Sequence, residues 1–469
     1  MNRNRLIWAF VVTSVASFMV SLDNLVVTMA LPSIRTHLHA SLASLEWTVN
    51  AYTLSFAVLI LTGAALGDRL GRRRVLTAGL AVFTLASAAA ALAPDVTVLV
   101  VSRAIQGAGA AAVLPLTFTI MSSSVPAERR GAALGVLGAV SGLAVAVGPL
   151  VGGAVVEGAS WQWIFWINVP IGLALLPFAA TRLNETTARS HLDPIGLALA
   201  SGGLFGIVFG LVKAGSDGWA SLPVLGSLAA GVALVVAFGL WQTRARHPML
   251  PLRLFRNRAF TASNLASLLF SFGMFGSIFL LAQFLQSALG YSPLQAGLRT
   301  LPWTAMPLMV APVAGPLSDR IGGRPFLVSG LALQGVGLAW LAALIGPHVS
   351  YLSLVAPFVC CGIGMALFFI PVANVVLGAV PAADQGVASG ANNAIRELGG
   401  VLGIAVLGTV FASHGSYASA ATFAAGLRPA IWVGAGVVGV GALSATVIPR
   451  HRRGARADSP LTPEALVAA

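Results

Sequence analysis

Asp23, Glu46, Arg103 and Glu397 are ionisable residues standing inside long apolar runs of this chain. A charge at that depth is costly, so it marks a proton or substrate path or pairs with another charge. Asp23 is the only acid of the first run, about 25 Å of helical rise beyond Leu6. Its carboxyl is a candidate proton carrier; the alternative is a hydrogen-bonded structural acid beside Asn24. Arg103 is the one charge in its run and lies roughly 10 Å past Val96, deep for a side chain that snorkels to the surface. Gln106, Gly107 and Gly109 follow it, and the glycines permit a close neighbouring helix against which Arg103 can find a carboxylate or a carbonyl. Glu46, beside Trp47 near the start of its run, reads as interfacial, with a proton site as the alternative. Arg396 and Glu397 are sequence neighbours that point to different helix faces and need not pair.

A second chemistry sits between the runs, in the turn Gly67-Asp68-Arg69-Leu70-Gly71-Arg72-Arg73-Arg74. It is too polar for lipid and its flanks are too apolar for water, which makes it a tight loop at a membrane surface. A shorter echo, Ser318-Asp319-Arg320-Ile321-Gly322-Gly323-Arg324, follows 251 positions later. Several familiar chemistries are absent. Lys213 is the only lysine and Ala214 follows it, so no phosphate-binding loop ending in Gly-Lys-Ser/Thr exists. Cys360 and Cys361 are adjacent in an apolar run and read as packing residues. The seven histidines form no His-Glu-x-x-His pattern. Neither a metal nor another cofactor is expected, and an enzyme is not.

The elements that must carry these residues are membrane-spanning helices. Of 469 residues 57% are hydrophobic and 9% charged, with a mean hydropathy of +0.89, far from the roughly 25% charge of soluble domains. The first run, Leu6 to Leu31, is too long for a signal-peptide core and reads as a retained helix. At about 20 apolar residues per span, fourteen helices are expected: 6–31, 45–66, 75–93, 96–121, 131–153, 163–181, 193–213, 222–241, 259–283, 295–316, 326–345, 351–377, 386–412 and 427–448. The net charge of +13 lies in alternate loops: Arg3 and Arg5, Arg69 and Arg72 to Arg74, Arg129 and Arg130, Arg182 and Arg189, Arg244 to Arg258, Arg320 and Arg324, Arg450 to Arg456. The other loops hold little beyond Arg35, Lys213, Arg299 and Arg428. That asymmetry puts the basic loops and both termini in the cytoplasm, with anionic lipid and not nucleic acid as counter-charge. Setting aside helices seven and eight puts each charged turn after the second helix of a six-helix series, a parallel repeat. The expected units are 1–192, an inserted pair over 193–258, 259–449, and a disordered basic tail over 450–469.

Five stretches carry a family resemblance: Ser21 to Pro32, Leu99 to Gly109, Gly142 to Gly153, Trp161 to Pro170, and Asn392 to Gly400. With them the chain resembles the fourteen-helix drug:proton antiporters of the major facilitator superfamily, over about residues 15 to 412. The resemblance implies an all-α polytopic membrane protein of two six-helix bundles plus two inserted helices, in a bacterial plasma membrane. It implies proton-coupled efflux of lipophilic drugs or antibiotics by alternating access, the alternative being export of one endogenous metabolite or amino acid; a sensor on the same scaffold lacks a readout domain. Its partners would be protons, a small lipophilic substrate and membrane lipid, with no obligate protein partner. By the same resemblance Asp23, Arg103 and Glu397 belong to proton coupling, although Asn24, Leu25 and Thr28 depart from the first-helix pattern, and Glu46 and Glu397 stand where relatives often carry Gln. A cytoplasmic-end gate is the alternative for Glu397. Asp68, Arg69, Arg72, Asp319 and Arg320 would gate one face through ion pairs across the halves, the first turn being the stronger. Gly142, Gly148, Pro149, Gly152 and Gly153 would form the close-packed, bent antiporter helix. Asn24, Gln106, Phe272, Phe275 and Asn393 are candidate cavity residues; for the phenylalanines, with Phe279 on the same face, core or lipid packing is the alternative.

Overall fold

Helices follow wherever the sequence runs apolar, and their ends fall where a side chain satisfies the free backbone N–H groups. A computed structural model describes residues 3–126, 130–187, 191–381 and 384–449; the side chains of 3–5, 130–132, Ala311, Asp319 and Ile370 are also outside the description. The tail 450–469 lies outside the described residues. The helices are α1 (Arg3–His37), α2 (Leu42–Leu70), α3 (Arg72–Ala91), α4 (Val96–Ser123), α5 (Arg130–Gly158), the single turn α6 (Trp163–Trp166), α7 (Asn168–Arg182), α8 (Pro194–Asp217) and α9 (Leu222–Arg244). Then come α10 (Arg258–Gln283), α11 (Pro293–Thr304), α12 (Met306–Ile321), α13 (Gly323–Leu344), α14 (Tyr351–Gly378), α15 (Gln385–His414) and α16 (Ala420–Ala445). Ser41, Asp95, Asp193, Asn257, Ser292 and Ser419 each accept a first-turn N–H, the side-chain cap such ends require.

Among the described residues thirteen helical stretches are long and apolar enough to cross a membrane; Trp163–Arg182 and Arg258–Ala288 each count as one. The remaining expected span, 295–316, is not continuous. It is broken at Ala305 into α11 and α12, because Pro307 offers no N–H to the turn before it and its ring crowds that turn. With this broken pair the fourteen-span plan holds.

Two bundles result, α1–α7 and α10–α16, with α8 and α9 packed on one another and α8 laid against α2 and α15. Close helix contacts are made at glycines: a side chain on Gly107 would strike the Tyr52 carbonyl of α2, and one on Gly403 the Phe272 carbonyl of α10. Small residues permit this approach within lipid. The α2–α3 and α12–α13 turns have the same backbone form, each a single glycine with positive φ, Gly71 at 111° and Gly322 at 96°, a conformation only glycine adopts freely. These turns share what we call the basic end.

At the opposite end the bundles are sealed together. The Glu157 carboxylate of α5 accepts from Ser292 Oγ (2.5 Å) and Leu294 N (2.9 Å), Gln286 Nε2 donates to the Met29 carbonyl (3.1 Å), and Thr304 Oγ1 donates to the Ala146 carbonyl (3.0 Å). Side chains on Gly153 or Gly297 would strike the backbone of Pro293 or Pro149 across this seam. Beyond the break at Ala305, α12 leaves α5, and Gly135, Gly138 and Gly142 face open space. The α2–α15 seam runs further toward the basic end, where Leu61 lies against Gly390.

Candidate proton-coupling site

Asp23 and Arg103 meet in the first bundle, both fully enclosed. Arg103 Nη1 donates to Asp23 Oδ2 at 2.5 Å and to Gln106 Oε1 at 2.7 Å, while its Nε reaches the Thr48 carbonyl at 3.2 Å. Asp23 Oδ1 accepts from Gln106 Nε2 (2.9 Å) and from Asn168 Nδ2 (2.8 Å). Both amides also donate to Ser87 Oγ, at 2.6 and 3.2 Å. The guanidinium lies over the Tyr52 ring, 4.2 Å from its centroid, with Phe165 at 5.7 Å. Residues of α1, α2, α3, α4, α6 and α7 thus contribute, and the Gly107–Tyr52 contact draws α4 close enough for it. Three donors complement a carboxylate, the arrangement that makes a buried charge tolerable.

Other expected site residues are placed differently. Gln106, taken as a cavity residue, is buried within the Asp23 cluster. Phe272 is buried, its carbonyl lying against Gly403 of α15, and the Phe275 ring packs over Gly400. Asn24 and Asn393 are half-buried; it is the neighbouring Asn392 that is tied in, donating to Asn264 Oδ1 (3.1 Å) and Ser267 Oγ (2.9 Å). Arg396 and Glu397 do pair, Nη2 to Oε1 at 3.1 Å, the long arginine side chain bridging the one-residue offset. Glu46 is enclosed near the start of α2, 2% exposed. Of the antiporter-helix residues, a side chain on Gly148 would press on Leu25 and one on Gly152 would strike the Val26 carbonyl, and Gly153 and Pro149 join the seam with α11, whereas a side chain on Gly142 would stand in open space.

The charged turn is satisfied inside its own bundle. Arg72 pairs with Asp68 at 2.8 Å, one turn apart, and Arg73 and Arg74 face Glu185 at 3.5 and 3.6 Å. Glu185 also accepts from Arg73 N (3.0 Å) at the start of α3, a favourable place for an acid. Arg69 and Arg320 are exposed, and no ion pair among the described residues joins the two turns; the side chain of Asp319 lies outside the described residues. Sequence reasoning missed Ser87, Tyr52 and Asn168. A lone amide in the apolar stretch 163–181 was the available signal for Asn168; Ser87, in a run of small residues, gave none.

The family model of the Major Facilitator Superfamily matches residues 13–403 and, overlapping, 263–468. The chain belongs to the major facilitator superfamily. It is 36% identical over 407 residues to a tetracenomycin C resistance and export protein of Streptomyces glaucescens, covering 86% of this chain and 75% of that one. It is 38% identical over 413 residues to a cephamycin export protein of Amycolatopsis lactamdurans (86% and 85%), and 35% identical over 422 to a multidrug resistance protein of Mycobacterium tuberculosis (88% and 77%). Solved structures agree in fold: a POT family transporter in complex with a thioalcohol-conjugated peptide superposes with a TM-score of 0.71 at 15% identity (94% and 95%). A bacterial homologue of the lysosomal transporter Spinster, in an inward-facing and unoccupied conformation, gives 0.68 at 16% (96% and 98%).

Proposed function

We propose that this major facilitator is a proton-coupled exporter of lipophilic drugs or antibiotics, and that it performs no catalysis. The observation that carries the reading is the buried Asp23–Arg103 pair, in a chain whose relatives bear the names of antibiotic and multidrug exporters. Positive-inside charge sets the basic end in the cytoplasm, with 1–192 and 259–449 as the two halves and 193–258 inserted between them. The conformation is then closed outside and parted inside along α5.

In this reading Asp23 takes a proton from outside when the halves part there and Arg103 swings away. Closure returns Arg103 to Asp23 and displaces the proton toward the cytoplasm. Substrate enters between the halves from the cytoplasmic side, past Asn24 and Asn393, and leaves outward on the next swing. Gly148, Gly152 and Gly153 let α5 pivot on α1 and α11. Asp68 with Arg72, Arg69, Asp319 and Arg320 form the inner gate, whose cross-half contacts belong to the inward-closed state. Glu397, buried beside Arg396, is a further member of the coupling path. Relatives named for one antibiotic each favour a second reading, export of a single metabolite.

The test is dye movement in inverted membrane vesicles. Transport should collapse with a protonophore and vanish in Asp23→Asn; wild-type transport in that variant removes the assigned role. A growth screen over many toxic compounds, with and without the protein, separates a broad exporter from a single-compound one.

A further inference from the structure

Glu46 lies on the seam between the two halves, and nothing in the Asp23 machinery uses it. It is 2% exposed, its Oε2 has no hydrogen-bond partner, and it joins no ion pair among the described residues. Its other oxygen fills the space where a side chain on Gly408 of α15 would stand. One helical turn on, Asn50 is fully buried with both amide atoms unpartnered. The α2 face toward α15 therefore carries three unsatisfied polar atoms close to the opposite end, where the halves are sealed.

None of the charged groups on the surrounding elements forms an ion pair with Glu46 among the described residues. On α1, Arg35 lies over the Tyr417 ring, 3.8 Å from its centroid. Tyr417, within electrostatic reach of Glu46, is pushed up by burial and donates to Gln283 Oε1 at 2.5 Å. On α4, Arg103 is paired with Asp23, and its Nη2 has no hydrogen-bond partner. On α8, Lys213 pairs with Asp217 at 3.7 Å. On α15, His414 is exposed and bonds Ser413, and Arg396–Glu397 sit about 16 Å of helical rise away. On α16, Arg428 is exposed. A carboxylate enclosed without cation or donor is far costlier than a carboxylic acid in the same place. The closed seam therefore accommodates Glu46 only with its proton on.

We propose that Glu46 is a second proton-binding site, separate from Asp23, whose proton must be bound for the outer seam to close and is exchanged only with the outer side. The assignment of that side rests on the orientation proposed above. When α2 and α15 part, water reaches the carboxyl, the proton leaves, and the resulting charge holds the seam open until protonation returns. The proton is not carried across. Glu46 thus sets the outer pH at which closure occurs without adding to the number of protons transported per substrate.

The experiment measures conformation, so it stands whether or not the substrate is identified. Spin labels at Thr36→Cys and Ala418→Cys, with Cys360→Ala and Cys361→Ala, report the width of the sealed end in lipid nanodiscs at equal pH on both sides. Asp23→Asn and Glu397→Gln are present throughout, so the coupling path proposed above adds no titration. The long-distance population should rise about fivefold or more from pH 5.5 to 8.5, since one linked proton permits up to tenfold per unit. Adding Glu46→Gln should hold the seam closed across that range. Gly408→Ala, which takes the carboxyl's space, should raise the open population already at pH 5.5, and Glu46→Ala should reverse it. A flat profile in the Asp23→Asn, Glu397→Gln background, an unchanged profile with Glu46→Gln, or a closed seam with Gly408→Ala each overturns the proposal.

Discussion

Removing Arg103 leaves Asp23 as an enclosed carboxylate with only the amides of Gln106 and Asn168 to hold it. Breaking a buried pair in this way costs about 3–5 kcal/mol, so Arg103→Ala should lose transport and lower the unfolding midpoint. Arg103→Lys should lose transport with a smaller drop in stability, because an ammonium keeps the charge but cannot span Asp23, Gln106 and the Thr48 carbonyl as the planar fork does. Thermal unfolding of the purified protein beside vesicle transport checks both; equal midpoints for Ala and Lys would contradict the pairing. Asp23, Arg103 and Gln106 were each legible as polar residues in apolar runs. Their meeting was not, since Asp23 and Arg103 are 80 positions apart and only helix packing unites them. The same limit hid the burial of Glu46: sequence shows nearness to a run's end, but not that Gly408 leaves a hole for its carboxyl.

Helices, their ends and their breaks were read more fully than their contacts. The two charged turns were expected to match, and Gly71 and Gly322 do so in backbone. The break at Ala305 was missed although Pro302, Pro307, Pro312 and Pro316 stand in that one stretch, because hydropathy counts proline without weighing its missing N–H. At this scale Asp193 yields a pH prediction. Burial opposes its ionisation, but hydrogen bonds from Gly196 N–H, Trp241 Nε1, Gln242 Nε2 and Met249 N–H outweigh that and hold it below the ordinary aspartate value of 3.8. A carboxyl lowered in the folded state adds stability that is present above its unfolded value and is lost as pH falls through the folded one. The α8–α9 pair should therefore loosen below about pH 4, read as faster amide exchange in the first turn of α8. Asp193→Asn should show the faster exchange already at pH 7.

At the scale of the molecule, the inserted pair fastens the seam between the halves. Val208 and Val212 of α8 pack with Leu54 and Val58 of α2 and with Val401 and Ala405 of α15, and Thr409 Oγ1 donates to the Leu211 carbonyl at 2.7 Å. The sequence marked residues 193–258 as dispensable to the repeat, which says nothing of where they dock. In lipid the apolar part of this contact is easily replaced, since acyl chains are as apolar as valine. The polar part is less so: without α8, Thr409 keeps only its bond to the Ala405 carbonyl of its own helix, and the seam that encloses Glu46 and Asn50 loses its cover on that side. Excising 193–258 and joining the halves through a flexible linker should therefore leave two inserted six-helix bundles whose mutual contact is weakened. Limited proteolysis in the linker should release the halves as separable fragments, whereas the full chain, nicked between Gln242 and Arg258, should keep them together. Halves that co-purify equally well in both cases would show that the α2–α15 and α5–α11 contacts suffice, and that α8 fastens nothing.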